Sequence, residues 1–105
     1  MFVAVVRFPN VPAERDGDFR AWFAWSNEQL RDAAGLAGRR LLRGGDRAYL
    51  GLVEHESMDT FAQMHASPVA EEVQRRLHEV LDDGPQAELY EVVEDTAAAG
   101  GCCCG

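Results

Sequence analysis

The sequence contains no lysine, since all ten of its basic residues are arginine. This absence excludes enzymes that form a Schiff base on a lysine, including those that hold pyridoxal phosphate in this way. Acidic residues outnumber basic ones by 18 to 10, which gives a formal net charge of -8. Nucleic acids and anionic membranes bind basic surfaces, so we expect neither as a partner of this protein.

Long hydrophobic runs and a signal peptide are also missing. No apolar run approaches the roughly 20 residues that span a bilayer. The N-terminal residues lack the basic start and the small-residue cleavage site of a signal peptide, so we expect a cytoplasmic protein. With 105 residues, of which 47% are hydrophobic, the chain is long enough for one globular domain with one core.

Cysteine is absent from the body of the chain and is confined to Cys102, Cys103 and Cys104. A disulfide scaffold needs cysteines in separate segments, so none is expected. From Thr96 onward the chain carries no charged residue and is rich in alanine and glycine. This change of composition predicts a folded domain over residues 1–95 and a flexible tail over residues 96–105.

Hydrophobic periodicity predicts six segments of regular structure. Strands are predicted over residues 2–8, 36–43, 47–55 and 87–93. Helices are predicted over 15–34, with Asp16 or Asp18 as the N-cap and Gly35 at its end, and over 57–81. The second helix restarts at Pro68. The remaining boundary residues are the caps Ser57 and Ser67 and the hairpin turn of Gly44, Gly45 and Asp46.

The resulting order, β-α-β-β-α-β, is that of the ferredoxin-like α+β fold. Two helices can cover only one face of the sheet, yet the first, third and fourth strands carry apolar residues on both faces. An apolar sheet face of this size calls for a partner. We therefore predict a homodimer whose sheets pack face to face as a dimeric α/β barrel.

The central part of the chain resembles the antibiotic biosynthesis monooxygenase family, a branch of the dimeric α/β-barrel proteins. The likeness spans about residues 2–94 and is carried by the strand YLGLVEH from Tyr49 to His55. An acidic residue and a serine then begin a helix, in which Phe61 and His65 precede Ser67-Pro68. Members of the family include cofactor-free oxygenases of quinol-like aromatic molecules, haem-degrading enzymes and proteins without known substrates.

The resemblance implies a pocket between the sheet and the helices that binds a small aromatic molecule, and a cofactor-independent monooxygenase as the activity. His65 matches the family's pattern and is the candidate catalytic acid or base. The position where haem-degrading relatives present an iron ligand is apolar here, near Val73, which argues against haem, although His78 lies nearby. The candidate substrate-binding residues are Trp22, Trp25, Tyr49, His55, Arg7 and Asn10.

The histidines also have structural interpretations. His65 shares a helical face with Phe61 and should point inward, where it could serve the pocket or could simply be a buried, hydrogen-bonded histidine. His55 lies between two glutamates and is predicted to be a solvated residue at the rim. His78 falls opposite the apolar stripe of its helix and is predicted to be exposed and without a role.

The other candidates leave similar alternatives open. Trp22 belongs to the core stripe of the first helix, whereas Trp25 lies at the edge of that stripe and could line a pocket mouth or the dimer seam. Arg7 could pair with an acid such as Glu91, or bind an anionic or phenolate oxygen in the pocket. Asn10 follows the first strand, where some relatives place a substrate-binding asparagine. The hairpin arginines are expected to offset the acidic surface, and they are Arg39, Arg40, Arg43 and Arg47.

The tail predicts a second, different function. Three adjacent thiols suit soft metal ions such as Cu(I), Zn(II) or Hg(II), which makes Cys102, Cys103 and Cys104 candidate metal ligands. The tail is similar to the vicinal-cysteine C-terminus of mercuric reductases. It could also be the substrate of a tail-processing or tail-modifying enzyme, with the domain as carrier, or bear redox-active thiols, or be an engineered handle. Metal binding or trafficking is thus the alternative to the oxygenase.

Overall fold

The computed structural model describes residues 1–95. The predictions for the tail, including the metal site at Cys102, Cys103 and Cys104, therefore lie outside the described residues. In chain order, the elements are β1 (Phe2–Arg7), α1 (Asp16–Leu30), β2 (Leu36–Arg43), β3 (Tyr49–His55), α2 (Met58–His65), α3 (Pro68–Leu77) and β4 (Gln86–Glu91), with a 3-10 turn at Ala13–Arg15 before α1. Over residues 1–95, no helix is long and apolar enough to cross a membrane.

The four strands form one sheet in the order β2-β3-β1-β4. Every neighbouring pair is antiparallel, and Ala4 in the central strand β1 lies opposite Val53 of β3 and Leu89 of β4. A sheet of this order, with helices between β1 and β2 and between β3 and β4, is the ferredoxin-like arrangement. The prediction of a ferredoxin-like α+β fold is therefore confirmed.

Helix α1 buries the apolar stripe that its sequence predicts. Residues three and four positions apart lie on one face of a helix, so a single stripe can face the sheet. The helix ends earlier than predicted, and Ala33 packs against the core from the turn that follows. The buried residues of α1 are Phe19, Trp22, Phe23, Ser26 and Leu30.

The ends of α1 differ from the prediction. The N-cap position is occupied by Arg15, which forms no side-chain capping hydrogen bond. Asp16 and Asp18 lie instead in the first turn, where carboxylates favour the positive end of the helix dipole. Gly35 lies beyond the end of the helix with φ +81°, and a Cβ there would come within 2.5 Å of the Thr60 side chain. Glycine is therefore required there by both conformation and space.

The predicted caps of α2 and α3 are confirmed. The Ser57 hydroxyl accepts a hydrogen bond from the backbone N–H of Thr60 at 3.2 Å, and the Thr60 hydroxyl accepts one from the Ser57 N–H at 3.2 Å. This reciprocal pair is a capping box. At α3, the Ser67 hydroxyl accepts from the Ala70 N–H at 3.2 Å, and Pro68 occupies the first turn.

The helices pack on one side of the sheet, called the inner face, which carries Ala4, Val53 and His55. Their cover stops short of β4, because all six residues of that strand are exposed. Leu89, which neighbours Ala4 on the inner face, is 52% exposed. The β4 side of the inner face is therefore open. The core cluster comprises Ala4, Phe19, Trp22, Phe23, Leu30, Tyr49, Val53, Met64, Ala70, Val73, Leu77 and Leu81.

The alternate strand residues form the outer face, which carries a row of apolar side chains. Val5 lies opposite Leu52, and Leu42 lies opposite Leu50. These side chains are half-buried or exposed. The apolar residues of the outer face are Val3, Val5, Leu42, Leu50, Leu52 and Tyr90.

The hairpin between β2 and β3 turns at Gly44, Gly45 and Asp46 as predicted, but β3 begins at Tyr49, two residues later than predicted. The Gly44 carbonyl accepts from the Arg47 N–H at 2.9 Å, and the Gly44 N–H donates to the Ala48 carbonyl at 2.9 Å. Arg47, and not a glycine of the turn, adopts the left-handed conformation with φ 68°. A side chain with a Cβ is disfavoured in this conformation.

We expect Arg47→Gly to raise the free energy of unfolding by about 0.5–1 kcal/mol, because glycine tolerates positive φ. Arg47→Ala removes the same exposed side chain but keeps the Cβ, so its stability should stay close to that of the wild type. Urea denaturation followed by circular dichroism measures both changes. A gain for the alanine variant as large as that for glycine would show that side-chain charge, and not backbone conformation, is responsible.

Candidate functional site

A cavity of about 480 Å³ lies between the inner face of the sheet and the helices. Its size is in the range of small-molecule sites, and its walls are mainly apolar. The lining residues include three aromatic rings, Phe8, Trp22 and Phe61, and four polar side chains, Arg39, His65, Gln74 and His78. The remaining lining residues are Val6, Leu30, Val53, Met64, Ala70, Val73, Leu77, Gly84, Pro85 and Ala87.

Trp22 forms a fixed wall of this cavity. Its indole N–H donates to the Val73 carbonyl of α3 at 2.9 Å. Its ring stacks on Phe19 at 5.8 Å and meets the edge of Phe8 at 5.9 Å between centroids. Because the N–H is already used, Trp22 offers a ligand only its ring, as the resemblance implies for a pocket wall.

A Cβ on Gly51 would lie 3.2 Å from Phe8, so this glycine leaves room for the Phe8 ring.

His65 lies on the cavity wall but is exposed, which differs from the predicted inward burial. On α2 it is Met64, one position earlier, that turns into the core. Since successive helix residues differ by about 100°, His65 is rotated toward the open side. Its ring stacks on Phe61 with centroids 5.8 Å apart and an interplanar angle of 16°.

His55 is fully buried, so the prediction of a solvated rim residue is wrong. Strand β3 alternates strictly, and His55 falls on the same buried face as Val53. Its Nδ1 lies 3.1 Å from the Thr60 hydroxyl and its Nε2 lies 3.2 Å from the Met64 sulfur. Burial lowers the pKa of His55. The cavity lining does not include His55.

The structure places the other predicted binding residues away from the cavity. Trp25 is half-buried, with the Arg76 guanidinium 4.9 Å from its ring centre. Arg7 is exposed and pairs at 3.0 Å with Glu88, not with Glu91. Of the remaining candidates, Asn10 is exposed and Tyr49 is buried.

Tyr49 belongs to the core and to a second cleft. Its ring lies 4.9 Å from that of Phe19, and its hydroxyl donates to an oxygen of Asp16. It lines a cleft between α1 and β2 and not the main cavity. The predicted aromatic wall is therefore formed by Trp22 together with Phe8 and Phe61.

Arg39 is a site residue that the sequence analysis assigned to the surface. Its Nη1 donates at 2.7 Å to both the Ser26 hydroxyl and the side-chain Oδ1 of Asn27. Burial lowers the pKa of Arg39 to about 10. The strand pairing explains this position. Arg39 of β2 lies opposite Val53 of β3, and Val53 is on the inner face, so Arg39 lies on the inner face as well.

Neither His78 nor the acidic residues form a metal site in the described part of the chain. His78 is exposed, as predicted, although it lines the cavity. Among residues 1–95, no group of three or more histidine, cysteine, aspartate or glutamate side chains is arranged to hold a metal ion. The chemistry of the cavity therefore has to be derived from its apolar walls and its few polar side chains.

No protein-family model matches this chain, and no curated protein matches its sequence significantly. Solved structures do match its fold. A candidate antibiotic biosynthesis monooxygenase from Deinococcus radiodurans is 13% identical with a TM-score of 0.79, covering 90% of this chain and 95% of that chain. One from Bordetella bronchiseptica is 22% identical with a TM-score of 0.74, covering 89% and 98% respectively.

SnoaB from Streptomyces nogalater, named as a cofactor-independent oxygenase, is 20% identical with a TM-score of 0.76. The alignment covers 90% of this chain and 95% of SnoaB. At these identities the likeness shows a shared fold. The resemblance to antibiotic biosynthesis monooxygenases is thus confirmed at the level of the fold.

The buried His55 should make stability depend on pH. Because burial lowers its pKa in the folded chain, the unfolded chain binds the proton first as the pH falls. The contribution of His55 should be complete above its unfolded pKa of about 6.5 and be lost as the pH falls through its folded pKa. Urea denaturation at about pH 7.5 and about pH 5.5 should show a larger loss for the wild type than for His55→Gln.

His65→Gln is the matched control for this experiment, because His65 is exposed. This variant should retain the pH dependence of the wild type. Equal losses of stability in the wild type and in His55→Gln would contradict a lowered pKa at His55.

Proposed function

We propose that this protein binds a small, oxygen-rich aromatic molecule in the cavity and oxidises it as a cofactor-independent monooxygenase. The observation that carries the proposal is the aromatic-walled cavity of about 480 Å³ with His65 on its wall. The named activity of SnoaB, which has the same fold, supports it. The apolar walls suit a flat ring system, and the few polar groups suit its hydroxyl or keto oxygens.

His65 is the group proposed to start the reaction. Imidazole is the side chain most often used as a general acid or base. Taking a proton from a phenol or quinol leaves an electron-rich anion that can react with dioxygen directly. One oxygen atom then enters the ring as a carbonyl oxygen, and the other leaves as water with the two hydrogens lost by the substrate.

The surroundings of His65 suit this role. Stacking on Phe61 orients the imidazole ring, and exposure on its other side gives the transferred proton a route to water. Trp22 and Phe8 supply fixed apolar surface against which the ring system of the substrate can lie. Binding against rigid aromatic walls holds the substrate in one orientation relative to His65.

The test is oxygen uptake with a panel of tricyclic phenols and anthrones. Wild-type protein should turn over at least one of them, and His65→Ala should lower kcat about 10²–10⁴-fold with little change in binding, since a general base acts on the chemical step. Ala87→Phe places a ring in the cavity lining without filling a buried site, because Ala87 is exposed. This variant should weaken binding.

Leu89→Phe is the matched control. Leu89 lies two residues along the same exposed strand and outside the cavity lining, so this variant should behave as the wild type does. Turnover that survives in both His65→Ala and Ala87→Phe would place the reaction elsewhere and overturn the proposal.

We also propose that the protein is a homodimer formed through the outer face. The observation that favours it is the continuous row of apolar side chains there, including Val5, Leu50 and Leu52. An apolar row on one face of a sheet can pack against the same row of a second copy across a two-fold axis. The dimer would remove it from water and complete the α/β barrel.

Leu52→Glu should convert the dimer to a monomer, because a charge at the centre of the apolar row would be buried on association. Size-exclusion chromatography with light scattering measures the mass directly. Val69→Glu, at an exposed apolar position on α3, should leave the dimer intact. A wild-type protein that is monomeric under the same conditions would refute the proposed interface.

A further inference from the structure

A second cleft lies between α1 and β2, and three arginines line it. Arg20 and Asn27 come from α1, Arg39 and Arg43 from β2, and Tyr49 from β3. The volume of this arginine cleft is about 410 Å³. Such a concentration of positive charge contrasts with the formal net charge of -8 of the whole chain.

Arg39 lies among neutral groups. Its Nη1 donates to Ser26 and Asn27, and its Cζ atom lies 4.8 Å from the centre of the Phe23 ring. Its Nε is buried and has no hydrogen-bond partner. Within residues 1–95, no carboxylate forms an ion pair with Arg39. A half-buried guanidinium without a counter-ion is destabilising, so an anion beside it would be favoured.

Arg43 and Arg20 extend the positive charge along the cleft. The Arg43 Nη1 lies 3.5 Å from the Tyr49 hydroxyl, and the ion pairs of the described residues do not include Arg43. Arg20 pairs with Asp16 at the long distance of 3.9 Å. One carboxylate therefore opposes three guanidinium groups, which leaves an excess of two positive charges at the cleft.

The cleft also offers donors that have no acceptor in the described part of the chain. The Arg39 Nη2 has no protein partner among residues 1–95 and is not buried, whereas Nε, which also lacks a partner, is buried. The N–H groups of Nη2 can donate to an oxygen of an oxyanion. The side-chain Oδ1 of Asn27 already accepts from Arg39, so the side-chain N–H groups of Asn27 are further donors.

We infer that the arginine cleft binds a phosphate group of a small phosphorylated ligand. Near neutral pH a phosphate monoester carries a charge of about -1.5 to -2, which matches the excess of two positive charges. Guanidinium groups bind phosphate in a bidentate manner through parallel N–H groups. Arg39 contributes the N–H groups of Nη2, and Arg43 and Asn27 contribute further donors in the same cleft. Arg39 also lines the proposed oxygenase cavity, whereas Arg43 and Asn27 line only the arginine cleft, and phosphate binding there goes beyond the proposed oxygenase function.

The hairpin itself supplies matched controls. Arg40 lies opposite Leu52 on the outer face, and Arg47 lies in the turn and is exposed. Neither lines the cleft. Replacing either one by glutamine changes the net charge of the protein as much as replacing Arg39 or Arg43, so the four variants separate a built site from a general attraction between a basic hairpin and an anion.

The experiment is a titration of the full chain with inorganic phosphate and with diphosphate, followed by calorimetry and by the side-chain amide resonances of Asn27. Binding to the wild type should shift the Asn27 resonances. Arg39→Gln and Arg43→Gln should each weaken the affinity about tenfold, whereas Arg40→Gln and Arg47→Gln should leave it within about twofold. Arg43 is exposed, so Arg43→Gln provides the test if Arg39→Gln fails to fold.

A variant with the opposite expected sign completes the test. Among residues 1–95, Asp16 is the only carboxylate that forms an ion pair with an arginine of the cleft. Asp16→Asn removes this charge but retains an oxygen that can accept from Tyr49. It should tighten the binding of diphosphate several-fold. The inference would be overturned if the wild type bound neither inorganic phosphate nor diphosphate, or if all four glutamine variants weakened the affinity equally. Arg39 lines both cavities, so Arg43→Gln, at a residue that lines only the arginine cleft, separates the two proposals: it should weaken phosphate binding and leave oxygen uptake at the wild-type rate.

Discussion

The arrangement of this domain depends on the contact between α1 and α3, which the indole of Trp22 fixes. A buried N–H requires an acceptor, and the one it finds is the Val73 carbonyl on the other helix. The same ring packs on Phe19 and against the edge of Phe8. One side chain thus sets the distance between the two helices, joins them to the end of β1 and forms a wall of the cavity.

The helices leave two surfaces of the sheet uncovered, namely the β4 side of the inner face and the whole outer face, and both relate to function. The helices do not reach β4, so the inner face stays open beside Leu89 and Ala87, and the cavity includes the second of these. The outer face has no helix and carries its own apolar row. Burying the outer face on a second copy would stabilise the sheet without closing the cavity, because the outer face and the cavity lie on opposite sides of the sheet.

Local patterns were sufficient to predict the fold but not the site. Strand alternation, the α1 stripe and the serine caps of α2 and α3 each depend on a few neighbouring residues, and the structure confirms them. The predictions for the two histidines were reversed, since His55 is buried and His65 is exposed. Because His55 lies between two glutamates, it was predicted to be exposed to water, but the two-residue alternation of β3 buries its side chain. On α2 the apolar face is narrow enough that Met64 enters the core and His65 does not.

Arg39 shows what sequence reasoning could not reach. Four arginines in one hairpin have the composition of a solvated surface, and three of them, Arg40, Arg43 and Arg47, are indeed exposed. Arg39 is drawn inward because α1 offers Ser26, Asn27 and the face of Phe23 at the point where β2 passes. Those partners are 12 to 16 residues away in sequence and converge on one guanidinium only in the folded chain. They accept hydrogen bonds from Nη1 and leave Nε and Nη2 without an acceptor in the described part of the chain. The charge that remains is therefore a property of tertiary structure, and its natural complement is an anion supplied from outside the domain.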